Sequence, residues 1–148
     1  MTTPTDIAVA RFDEGFACSQ SVFSAYAPLF DLDPELALRI AAPFGGGMGR
    51  MGEVCGAVSG ALMVLGLKAG NTIGQDRASK EKAYDLARAF AERFKARHGS
   101  ILCRELLGCA IDTPEGLQDA HYKGLFKELC PRLVQDSAEI VAELLEKG

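Results

Sequence analysis

Gly52-Glu53-Val54-Cys55-Gly56-Ala57-Val58-Ser59-Gly60-Ala61-Leu62-Met63-Val64-Leu65-Gly66-Leu67 is the stretch on which the fold turns. From Glu53 to Leu67 it is apolar on every side, the pattern of a helix enclosed by other elements. Gly52, Gly56 and Gly60 recur at every fourth residue, so one face lacks side chains and admits another backbone at close range. That backbone can come from the same chain or from a partner subunit, which leaves a homo-oligomer open. The apolar run Ala57 to Leu67 is well short of the roughly 20 residues needed to span a bilayer, so no membrane insertion is expected.

Outward from this helix the pattern stays helical. Thr3-Pro4 gives a cap and a first-turn proline ahead of Ile7, Val9, Phe12 and Phe16, with a break at Gly15. A second helix is expected over Ala17 to Phe30, with Val22, Phe23 and Tyr26 inward. Asp33-Pro34-Glu35 starts a third, which runs to Pro43. An amphipathic helix from Ala78 to Arg97 uses Tyr84, Leu86, Phe90 and Phe94 and stops at His98-Gly99. Ser100 caps a short helix closed by Gly108, and Asp112-Thr113-Pro114-Glu115 opens another turn or helix. A last helix begins at Cys130-Pro131, with Cys130 as its cap, and carries Leu133, Val134, Ile140, Val141 and Leu144. No strand pattern, repeat or linker interrupts this, so residues 1–148 are expected to form one all-α domain of six or seven helices.

Composition narrows the function. Apolar residues make up 48% of the 148-residue chain, enough for a packed core rather than disorder. A net charge of -4 with scattered Lys and Arg, and no tryptophan, argues against nucleic acid as the main ligand. Met1 to Asp13 has neither the basic nor the long apolar region of a signal peptide, and a cytoplasmic location is expected.

The five cysteines, Cys18, Cys55, Cys103, Cys109 and Cys130, are separated by 36, 47, 5 and 20 residues, so the fold must assemble any joint chemistry. In a reducing compartment such a set points to metal ligation or redox catalysis rather than structural disulfides. Cys18, Cys55, Cys103 and Cys130 each lie near an expected helix start, where N–H groups and the helix dipole favour a thiolate. Cys109 follows a helix-closing glycine and is left out. The plain alternative is that these thiols are inert small hydrophobes in an interaction protein.

Phe44-Gly45-Gly46-Gly47-Met48-Gly49-Arg50-Met51-Gly52 is too glycine-rich for a regular helix and reads as a loop. Its match to GxGxxG is discounted, since that fingerprint needs a preceding strand. A better reading has the backbone of Gly45, Gly46, Gly47 and Gly49 passing close to Cys55, donating N–H groups toward a sulfur or an anion, with Arg50 adding positive charge. His98 suits a helix C-terminus without any function, and His121 reads as a surface residue rather than a ligand.

Taken in order, Phe16-Ala17-Cys18-Ser19-Gln20-Ser21-Val22, the glycine loop through Arg50, Cys55-Gly56-Ala57-Val58-Ser59-Gly60-Ala61, Gly99 to Gly108 around Cys103, and Cys130 before the terminal helix resemble the redox-active family named C_GCAxxG_C_C. The resemblance runs from about Phe16 to Leu144 and places the family's four cysteines on Cys18, Cys55, Cys103 and Cys130. It implies a small cytosolic redox protein and names no substrate, cofactor or redox partner. Three chemistries suit four such thiols. They can hold an iron–sulfur cluster or another metal for electron transfer or redox sensing, cycle as thiol–disulfide pairs without metal, or bind zinc in a helical interaction module.

Overall fold

A computed structural model describes residues 2–147. The chain is built of α1 (Pro4–Asp13), α2 (Cys18–Tyr26), α3 (Pro34–Ala41), α4 (Gly45–Met48), α5 (Gly56–Ala69), α6 (Arg77–His98), α7 (Cys103–Leu107), α8 (Pro114–Tyr122), α9 (Leu125–Glu128) and α10 (Cys130–Lys147), with 3-10 turns at Ala27–Phe30 and Ala42–Phe44. Seven of these helices have eight residues or more. Among the described residues the sole β pairing is one isolated antiparallel bridge, Val54 with Leu102.

Local chemistry sets the starts. Thr3 and Asp6 form a reciprocal capping box ahead of Pro4. Thr113 Oγ1 accepts from the Gly116 N–H, and Asp76 accepts from the Ser79 N–H at the head of α6. Gly99 and Gly108 close α6 and α7 in the left-handed conformation that glycine adopts without strain.

Helix α5 lies at the centre, packed by α2, α6 and α10. Ala57, Val58, Ala61, Val64 and Leu65 are buried in it, while its last turn, Gly66 to Lys68, is exposed. It starts three residues later than the apolar run suggests, because Glu53 and Cys55 are engaged in the bridge. It ends at Ala69, with Gly66 inside and Gly70 as its C-cap.

Gly56 and Gly60 face α2 of the same chain, whereas Gly52 lies ahead of α5 and stands against Arg104. A Cβ on Gly56 would stand 3.0 Å from the Ser19 N and 3.3 Å from the Cys18 Cβ. One on Gly60 would stand 2.6 Å from the Ser19 carbonyl oxygen. Backbones at that range require the absence of a side chain. Buried hydroxyls complete the contacts: Ser137 Oγ donates to the Ala57 carbonyl at 2.6 Å, and Tyr26 Oη to the Ala138 carbonyl at 2.7 Å, tying α10 to α5 and α2.

The buried residues fall into two clusters. The larger one centres on α2, α5, α6 and α10. A smaller one gathers Cys103, Leu107, Cys109, Ile111, Ala120 and Cys130, and Cys18 packs against both. Other boundaries also differ from those expected from sequence. The second helix changes to a 3-10 turn at Ala27, ahead of Pro28, whose ring removes an N–H donor. The added helix α9 follows the left-handed Gly124. Because α9 abuts α10, the Leu129 carbonyl accepts from the N–H groups of Arg132 and Leu133. Cys130 is therefore the first helical residue rather than the cap.

Candidate functional site

The seam between the two clusters is a cavity of about 680 Å³. Cys18, Cys55, Cys103 and Cys130 all line it, and Cys109 does not. Each of the four marks a helix start: Cys18, Cys103 and Cys130 are the first residues of α2, α7 and α10, and Cys55 is the N-cap of α5.

The isolated bridge positions two of them. Cys55 N–H donates to the Ile101 carbonyl at 2.8 Å and Cys103 N–H to the Glu53 carbonyl at 2.7 Å, flanking the Val54–Leu102 pair. Alternation along each strand turns Cys55 and Cys103 to the side opposite Val54 and Leu102. Arg104 reinforces this pairing, donating from Nε to the Gly52 carbonyl at 3.0 Å and from Nη2 to Glu53 Oε1 at 2.6 Å. Cys18 comes to the site because α2 crosses the Gly56/Gly60 face, and Cys130 because α10 packs against both α2 and α5.

The glycine loop, in which α4 is only a single turn with Gly46, Gly47 and Met48 in the left-handed region (φ 68, 69 and 67), serves as a spacer. A Cβ on Gly47 (φ +69) would stand 2.7 Å from the Cys103 Cβ, and one on Gly45 would stand 2.6 Å from the Ala17 Cβ. The close approach is therefore to Cys103 and to the residue before Cys18, not to Cys55 as expected. The loop's N–H groups are used locally: Gly49 and Arg50 donate to the Gly45 carbonyl and Gly52 to Gly46, while the next residue, Glu53, donates to Gly47. The N–H groups that act to lower the Cys55 pKa are those of Ala57 and Val58, in the first turn of α5. Gly45, Gly46, Gly47, Gly49 and Arg50 do line the cavity.

Burial reverses the thiolate expectation at three of the four positions. Loss of solvent pushes Cys55 up to about 11 despite its two N–H donors, and Cys103 up to about 12. Cys18 is raised well above its ordinary value, first by its hydrogen bond to Cys130, then by burial and the neighbouring sulfurs. Cys130 alone is lowered, because the Cys18 thiol donates to it. One thiolate with a thiol beside it is the ionised state this site favours, rather than four thiolates.

No disulfide joins the five thiols, and Cys103, Cys55 and Cys130 are at most 8% exposed. Among the described residues, no three His, Cys, Asp or Glu side chains are grouped to hold one metal ion. Cys109 donates to Asp119 Oδ2 at 3.4 Å outside the cavity, and burial followed by that carboxylate raises its pKa. His98 Nε2 meets Asp136 Oδ2 at 2.8 Å, remote from the site.

Sequence reasoning missed the rest of the wall. His121 is exposed, as expected, yet it lines the cavity, its ring 4.7 Å from that of Phe126. Phe12, Phe16, Leu117 and Leu133 complete the apolar lining. The signal for Phe126 was Gly124, whose left-handed turn (φ +71) folds the chain back after α8; nothing local marked Phe12 or Leu117. Among the described residues, no helix is long and apolar enough to cross a membrane.

The model of the family described as "Putative redox-active protein (C_GCAxxG_C_C)" matches residues 16–144 of this chain. No curated protein and no solved structure matches it.

Proposed function

The chain belongs to the C_GCAxxG_C_C redox-active family, and from that membership we propose that it carries out thiol–disulfide exchange at Cys18 and Cys130. One observation carries the reading: Cys18 and Cys130 line one cavity, each as the first residue of its helix, and their acidities are displaced in opposite directions. Cys130 is the nucleophile, since its thiolate forms first. It attacks one sulfur of a substrate disulfide, making a mixed disulfide and expelling the other sulfur as a thiolate with its electron pair. Cys18 then attacks the Cys130 sulfur, closing the Cys18–Cys130 disulfide and releasing the second thiolate; its proton passes to a departing thiolate. The substrate gains two electrons, the protein loses two, and an external dithiol restores the protein by the reverse exchange. Cys55 and Cys103 stay neutral thiols lining the site.

The test counts free thiols in denatured protein before and after mild oxidation, then maps the linked peptides. A loss of two thiols, joined as Cys18 to Cys130 and unaltered by Cys109→Ser, supports the reading. An unchanged count, or a link through Cys109, refutes it.

A second reading rests on the convergence of four sulfurs on one cavity: Cys18, Cys55, Cys103 and Cys130 as ligands of an iron–sulfur cluster, zinc or another thiolate-bound metal. In the present arrangement the donors do not fit, because no three are grouped around one ion, so the sulfurs would have to draw inward. Iron or zinc in stoichiometric amount in protein kept from air supports this reading over the first.

A further inference from the structure

We propose that the cavity receives a compact organic disulfide bearing an anionic group, with Arg50 recognising the charge; this rests on the exchange chemistry above. Burial excludes a bulkier substrate. Cys130 is 5% exposed and Cys103 8%, so a disulfide held on the rigid surface of another protein cannot reach the nucleophile, whereas a small molecule entering the cavity can. The volume of about 680 Å³ is that of a small-molecule pocket, for which about 300–1,000 Å³ is usual. Phe12, Phe16 and Phe126 in its wall suit the polarisable sulfur of a disulfide.

The charge argument is separate. Among the described residues Arg50 is the one permanently charged side chain lining the cavity, and no carboxylate lines it. Among the described residues Arg50 has no ion-pair partner. It holds a left-handed conformation (φ 65), as Met48 does (φ 67), in a loop where Gly46, Gly47, Gly49 and Gly52 take that conformation freely. Gly46 makes room for it: a Cβ there would stand 2.8 Å from the Arg50 Cγ, so the arginine stem lies across the bare glycine. A planar cation beside an apolar wall is suited to a carboxylate on the substrate.

The experiment follows reduced full-length protein by stopped flow with two aromatic disulfides, dianionic dithiobis(nitrobenzoate) and neutral dithiodipyridine. The expected result is one fast phase with each probe, lost in Cys130→Ser and kept in Cys109→Ser, with circular dichroism verifying that each variant is folded. Arg50→Gln lowers the anionic-to-neutral rate ratio by about 2–5-fold, the size expected of one partly exposed charge pair, and Arg50→Lys restores part of it. A fast phase that survives in folded Cys130→Ser overturns the exchange reading itself. A fast phase belonging to Cys130 whose ratio is unmoved by Arg50→Gln leaves that reading intact and overturns anion recognition. Faster consumption of cumene hydroperoxide than of either disulfide overturns the substrate class.

Discussion

Alanine placed at Gly60 and at Gly66 makes one chemical change at two points of the same helix, and the structure requires opposite outcomes. At Gly60 the new Cβ would stand 2.6 Å from the Ser19 carbonyl oxygen and 3.2 Å from the Ser19 Cα. Ordinary contact begins at 3.4 Å, so α2 and α5 must separate by nearly an ångström along their closest line. The obstructing atoms are backbone, which cannot rotate away. Overpacking of this kind costs about 1–3 kcal/mol, and the better helix propensity of alanine returns about 1 kcal/mol at most. Gly60→Ala should therefore destabilise by about 1–2 kcal/mol. At Gly66 nothing lies within 4 Å of the added Cβ, so Gly66→Ala should stabilise by up to about 1 kcal/mol. Urea denaturation of both variants measures the difference. Since Ser19 follows Cys18, Gly60→Ala should also slow closure of the Cys18–Cys130 disulfide, whereas Gly66→Ala should not. Changes of the same sign in both variants, or unaltered disulfide closure in Gly60→Ala, would refute the packing argument.

Three further outcomes follow from the same contacts. Cys55 is 3% exposed and its pKa is raised from 9.0 to about 11. Its contribution is thus complete below the unfolded value and is lost as pH rises toward the folded one, when the unfolded chain has already released its proton. Stability should fall by about 2–3 kcal/mol from this group between pH 9 and 11, and Cys55→Ala should flatten that slope in denaturation series. Cys130, lowered by Cys18, works in the opposite direction and loses its contribution as pH falls through its folded pKa. Tyr26→Phe removes the 2.7 Å bond to the Ala138 carbonyl, which keeps its partner within α10, and should cost about 0.5–1.5 kcal/mol by urea denaturation. Arg104→Ala removes the clasp on Gly52 and Glu53, so hydrogen exchange at the Cys55 and Cys103 amides should accelerate with little change in global stability. Unchanged protection at those two amides would show that the bridge holds without the clasp.

The helices were legible wherever a short-range signal marks them. Thr3-Pro4, Asp33-Pro34 and Thr113-Pro114 all stand at observed helix starts, and Gly99 and Gly108 at ends. These signals act within one turn, so the chain alone carries them. The head of α5 was misplaced because Glu53 and Cys55 bond to residues around position 102, a partner that no local pattern announces. His121 was read as surface and is exposed, yet the fold brings it to the cavity rim through Phe126. The glycine loop acts as a spacer rather than as a donor to sulfur, since its Gly49, Arg50 and Gly52 N–H groups bond to carbonyls of the loop itself.

That the four cysteines Cys18, Cys55, Cys103 and Cys130 lie near helix starts is legible in the sequence, and for Cys130 it is written in the proline that follows. The exact start at Cys55 is set by its bond to the Ile101 carbonyl, and which thiol ionises is decided by the tertiary structure. The helix starts would favour a thiolate at all four, but desolvation depends on everything packed around each sulfur and outweighs the local N–H groups at Cys18, Cys55 and Cys103. The pairing of Cys18 with Cys130 is likewise tertiary: α2 and α10 lie far apart in the chain and meet because the side-chain-free face of α5 draws α2 close while α10 closes over both.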